Sequence, residues 1–245
     1  MSEIKIAKAS NLNPQYENGV SRQSVLTGEY RDAAFYKVSM QPGADWKPEL
    51  FAFGDRCQML VFMGGTGYIT TPKKAFNIQE VSLFVPDFDH EEFVVHASGE
   101  LECLQIVASF SDYDRKDIAA THISLPRFRP LSAAWTYEEH FKTPGITSYM
   151  FIEHRNFGRM SMGVVTGVGP GVVGQHIHNE LQQWYFALPG AESVCVSGEQ
   201  RFPFEGGDVC YFPMGTYHGS EVEADKRFDY VWFEMCEDGY PGQIL

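Results

Sequence analysis

The chain has 245 residues, with 32 acidic and 19 basic side chains and a formal charge of −13, so nucleic acid and anionic membranes are not expected partners. Its length allows one large domain or two smaller ones, each with a buried core. A content of 14% aromatic residues with 23 Gly and 13 Pro suits short strands joined by tight turns.

In chain order, the opening segment MSEIKIAKAS lacks the apolar centre of a signal peptide, and no later run reaches the length of a membrane span. Cys57, Cys103, Cys195, Cys210 and Cys236 show no zinc-type pairing. Reduced thiols in a cytoplasmic protein are the expectation. The next signal is a repeat. Gln58–Gly65 (QMLVFMGG) matches Gln183–Gly190 (QWYFALPG), Pro42-Gly43 matches Pro170-Gly171, and Pro86 matches Pro213, at offsets of 125 to 128 residues. The chain therefore reads as two copies of one unit, residues 1–112 and 146–245, joined by a linker over 113–145. That linker holds Pro126, Pro130 and Pro144 and is expected to wrap one copy and pair with the other. No long helix is expected, because apolar residues nowhere keep helical spacing.

The second copy carries the chemistry. In a strand, side chains two apart share a face, so His176 and His178 aim at one point, and a neighbouring antiparallel strand can bring His218 to it. Three neutral imidazoles there make a site for a divalent transition metal: zinc, manganese, iron or nickel. Gln183 is a weaker oxygen ligand, or it holds a ligand water or the substrate. Glu180 competes for the fourth place but reads as a rim residue. Tyr185, two beyond Gln183, is either an aromatic filling the interior or a proton donor or base. In FDYVWFEMC, Tyr230, Trp232 and Glu234 share a face, as do Arg159, Ser161 and Gly163 in RMSMGVV. Glu234 is the next proton-transfer residue after Tyr185. Surface or salt-bridge roles remain open for Glu234 and Arg159. His90, His96, His122, His140 and His154 lack ligand spacing and read as structural. In the first copy the positions matching the metal ligands are Phe51, Phe53 and Glu91, with His90 beside it. That copy is expected to hold no metal, to cover strand edges, and to support the second copy or a subunit contact, with a homodimer as the expected assembly.

These residues resemble the two boxes of the cupin superfamily. Gly171, His176, His178 and Gly190 follow the first box, with one residue fewer than usual before His176 and Gln183 where the family has Glu. Gly207, Pro213, Gly215 and His218 match the second, with Val222 where Asn often stands. The resemblance implies an all-β chain of two cupin-type antiparallel jelly-roll barrels in tandem, the first degenerate and the second metal-binding. A metal held by neutral ligands keeps its charge for an oxygen-rich substrate of sugar or keto-acid type, which implies an isomerase or lyase working by Lewis-acid-assisted proton transfer. A three-His iron dioxygenase is the alternative. A non-catalytic two-barrel protein that binds a small ligand is another. The arrangement of a silent first copy before a metal-bearing second one also resembles ureidoglycine aminohydrolase, whose ligands stand at other spacings.

Overall fold

Aromatic and β-branched residues between glycines form strands almost throughout. The structure is a computed structural model describing residues 4–121 and 123–240, so His122 lies outside the described residues. The chain divides into two compact units, Leu12–Arg115 with Ile123–Ala133, and Met1–Asn11 with Lys116–His122 and Ala134–Leu245. No described helix is long and apolar enough to cross a membrane.

The strand β1 (Lys5–Ala7) groups with the C-terminal unit. The N-terminal unit follows with β2 (Val20–Val25), β3 (Ala33–Met40), β4 (Asp45–Trp46), β5 (Arg56–Thr70), β6 (Ala75–Ile78), β7 (Ser82–Val85) and β8 (Val94–Ser109). After them come α1 (Asp112–Thr121) and β9 (Arg127–Pro130). The sheet runs β2-β3-β8-β5-β7-β9, with β4 on β8 and β6 on β5, all antiparallel. The long strands β5 and β8 bend at register shifts between Phe62 and Gly67. Gly65 sits there at φ 92°, where a Cβ would lie 1.8 Å from the Glu100 carbonyl oxygen. The enclosed core is apolar, with Leu60, Phe62, Phe84 and Phe93 at its centre.

The C-terminal unit adds β10 (Trp135–Tyr137), β11 (Thr147–Phe157), β12 (Met160–Thr166), β13 (Gly171–His176), β14 (Leu181–Ala187) and β15 (Glu192–Ser197). It closes with β16 (Gln200–Glu205), β17 (Val209–Phe212), β18 (His218–Val222) and β19 (Tyr230–Cys236). One sheet has the order β1-β17-β14-β19-β12-β11-β10 and the other β13-β18-β15-β16. Both contribute to one core: Tyr185 and Trp232 come from the first, Val173 and Cys195 from the second. β14 is buried at every residue because β17 and β19 flank it. All five cysteines are buried, and none forms a disulfide.

The structure adds to the sequence reading at the N-terminus and in the linker. Residues 1–11 group with the C-terminal unit because β1 pairs with β17. The 113–145 stretch, expected to wrap and to pair, carries two paired strands, β9 on β7 and β10 on β11. It also holds most of α1, which begins at a capping box. There the Ser111 amide donates to Asp114 Oδ2 (2.7 Å) and the Asp114 amide to Ser111 Oγ (3.2 Å).

Candidate metal centre

His176 ends β13 and stands directly opposite His218, the first residue of β18. β13 stops there, so His178 lies just beyond the strand rather than within it, yet its ring still turns to the same point. Ring centroids are 4.8 Å apart for His176 and His178, 4.7 Å for His176 and His218, and 5.6 Å for His178 and His218. One nitrogen from each lies within 4.8 Å of the others, and this is the group of three or more metal-binding side chains found among the described residues.

Gln183, on β14, reaches the same point, its Oε1 lying 2.6 Å from His218 Nε2. A carbonyl only accepts, so His218 Nδ1 donates to the Thr216 carbonyl (2.8 Å) and Nε2 presents a lone pair. Two lone-pair atoms at that distance repel unless they share a cation. Burial lowers the His218 pKa to about 3, so near pH 7 a proton does not fill that role. Exchanging the ends of the Gln183 amide would relieve this contact. It would also set oxygen against Glu234 Oε2, to which Gln183 Nε2 donates at 3.5 Å. His176 Nδ1 likewise donates to the Gly174 carbonyl at 2.9 Å, freeing Nε2. His178 Nε2 is buried without a hydrogen-bond partner, and burial lowers its pKa. An orphaned nitrogen, two oriented imidazoles and an amide oxygen together fit a divalent transition metal. Glu180 is exposed beyond the ring of ligands, and Gln182 faces the opposite side, where it accepts from the Tyr211 hydroxyl.

The site opens into a cavity of about 530 Å³, also lined by Glu234, His154 and Lys142. Glu234 is cross-strand partner to both Gln183 and Ser161. It is buried, not a surface residue, and accepts from Ser161 Oγ (2.6 Å) and His154 Nε2 (2.7 Å). Burial alone would raise its pKa, but the hydrogen bonds from His154 and Ser161 hold it below the ordinary value. The same bond raises the pKa of His154 against the effect of burial. His154, read from the sequence as structural, thus lines the cavity beside Glu234. It sits where the β11 register breaks, between Ile152 and Phe157, so no period-two pattern could have pointed to it. Tyr185 lies deeper, stacked on Tyr230 at 4.3 Å, and burial pushes its phenol far above the usual range. Arg159 is buried, and its Nη1 donates to the Glu237 carbonyl at 3.1 Å.

In the N-terminal unit, Phe51 packs under the Arg56 guanidinium at 5.3 Å, and Phe53 meets Phe88 edge-on at 5.1 Å. Glu91 pairs with Lys73 at 3.3 Å, and the exposed His90 contacts Asp87 at 3.2 Å.

No family model matches the chain, and no curated protein sequence matches it. Solved structures do. Oxalate decarboxylase from Bacillus subtilis superposes with a TM-score of 0.71 at 16% identity, over 98% of this chain and 78% of that one. A protein named as glyoxylate-induced, from Pseudomonas aeruginosa, superposes with a TM-score of 0.74 at 12% identity, over 100% of this chain and 93% of that one. At such identities the likeness concerns architecture. The fold is an antiparallel all-β jelly roll, shared with these structures.

Proposed function

We propose that the chain is a metal-dependent enzyme acting on a small oxygen-rich substrate of sugar or keto-acid type, as an isomerase or lyase. The juxtaposition of His218 Nε2 and Gln183 Oε1, beside the orphaned His178 Nε2, carries this reading. His176, His178, His218 and Gln183 would hold the metal. When bound, it would supply a Lewis acid for a substrate oxygen. The remaining work belongs to the cavity wall. Glu234 fixes the orientation of the Gln183 amide and that of the His154 ring. His154, half-exposed at the cavity and backed by a buried carboxylate, is the group suited to take and return a proton. Tyr185, the other candidate, lines the same cavity, but burial makes its phenol a weak acid, and its ring meets that of His218 edge-on at 6.1 Å. The fold likeness to oxalate decarboxylase, in which Mn(II) centres are described, supports the metal and favours a lyase or isomerase. The neutral three-His set also suits an iron dioxygenase, the second reading.

The test begins with elemental analysis of protein purified without added metal. One equivalent is expected, and His178→Ala should lose most of it on dialysis. Metal-loaded protein in deuterium oxide, given pyruvate, hydroxypyruvate or dihydroxyacetone, should then exchange substrate protons. Glu234→Gln should slow that exchange about 100-fold while keeping its metal. Oxygen consumption without exchange would favour the dioxygenase. A fully metallated His178→Ala would overturn the site.

A further inference from the structure

Lys142 is a basic residue of this cavity whose side chain is almost wholly buried. It lies in the 138–146 segment, whose backbone clips onto the edge of β13: the Thr143 amide donates to the Val172 carbonyl (3.0 Å) and the Gly174 amide to the Phe141 carbonyl (2.7 Å). Phe141 stacks on the ligand ring of His176 at 4.6 Å, so the segment is registered against the metal centre itself. Lys142 bridges Val173, three residues before His176, roughly 10 Å of strand away. Its side chain is only 8% exposed, an environment a lysine occupies only with partners. The ammonium donates to Ser148 Oγ (2.6 Å) and to the Glu139 carboxylate, with the rings of Tyr137 and Phe141 centred 5.5 and 5.9 Å away. Glu139 is the looser partner, 29% exposed, and a second hollow of about 630 Å³ borders it together with Lys142 and Ser148.

Resting on the metal-site reading above, we infer that the Lys142 ammonium, held by Ser148, forms the docking point for a carboxylate at the far end of the substrate, and that Glu139 holds that point until the substrate displaces it. The substrate class is then narrower: a small acid whose second, carbonyl-bearing end faces the imidazoles. Lys142 is fixed by the aromatic rings and Ser148, so it is pre-organised, while Glu139 has room to swing aside. A cavity of about 530 Å³ suits a molecule of this size.

The test uses Mn(II)-loaded protein and calorimetry with two probes, 2-oxoglutarate, which carries a distal carboxylate, and 2-oxobutyrate, which lacks it. Wild-type protein should bind 2-oxoglutarate about tenfold more tightly, the worth of one charged hydrogen bond. Lys142→Met should erase that preference while keeping 2-oxobutyrate affinity and metal content. Glu139→Gln, which removes the competitor but keeps the shape, should tighten 2-oxoglutarate binding several-fold, whereas a merely structural ion pair predicts no gain. A preference surviving in Lys142→Met, or weaker 2-oxoglutarate binding in Glu139→Gln, would overturn the inference. Metal-dependent 2-oxobutyrate binding with no preference in the wild type would overturn it alone. Absence of metal-dependent binding of either acid would overturn the metal-site reading and this inference with it.

Discussion

His218 shows how far one buried side chain sets the behaviour of the site. Its folded pKa of about 3 lies well below the ordinary histidine value of about 6.5. The unfolded chain therefore takes up a proton that the folded chain refuses throughout that window. In the metal-free protein, stability should be undiminished above about pH 6.5 and fall as pH drops towards 3, by at most ~1.4 kcal/mol per pH unit from this residue. His178, also lowered by burial, acts in the same sense. His154, raised by its bond to Glu234, acts oppositely: its contribution is present at low pH and fades as pH rises through its folded value. Urea melts at pH 7, 6 and 5 on metal-free protein, compared with His218→Asn, isolate the effect. The variant should show the shallower decline, and identical slopes would refute the assignment.

Among the elements, β12 and β19 determine whether the cavity keeps its shape. Gly163 faces Trp232 across this pair, and a Cβ there would lie 2.5 Å from the indole and 2.3 Å from the Tyr149 carbonyl oxygen. Gly163→Ala should cost about 1–3 kcal/mol, read as a lower urea midpoint. It should also shift tryptophan fluorescence, because Trp232 must move. His154 packs parallel to that indole at 6.2 Å, so the variant should lose proton exchange while retaining metal. The contrast between the two losses reflects what was legible in the sequence. His176, His178, His218 and Gln183 stand on or next to regular strands at fixed spacings, so period two and the box motifs pointed to them. His154 stands in a broken register, and Lys142 in a segment whose only order is its clip onto β13. The side-chain alternation that reveals a strand is absent from both. The capping box of α1 was present in the sequence, but ten mostly polar helical residues left too little apolar periodicity to reveal the helix.

For the whole molecule, the decisive feature is the grouping of residues 1–11 with the C-terminal unit. The pattern of repeats implied two consecutive copies and gave no sign of it, since a three-residue strand such as β1 has almost no periodicity. Ile4 nevertheless packs in the C-terminal core, Lys8 pairs with Asp208, and the Ala9 amide donates to Asp208 Oδ1 at 2.8 Å. Deleting residues 1–11 should therefore uncover the edge of β17, lower the melting temperature and promote strand-edge association. Light scattering during a thermal ramp checks this, and an unchanged melt would show that β1 contributes nothing.

β1 also imposes a timetable on biosynthesis. Lys5 pairs with Tyr211, so its partner leaves the ribosome 206 residues later. At roughly 5–20 residues per second, the wait is on the order of 10–40 seconds. The N-terminal unit is built from residues up to Ala133, all of which are synthesised within that interval. Throughout it, Ile4 and Ile6 remain uncovered. A nascent-chain chaperone that binds short apolar segments would have its longest opportunity at this strand, and slowing translation near residue 200 would lengthen it.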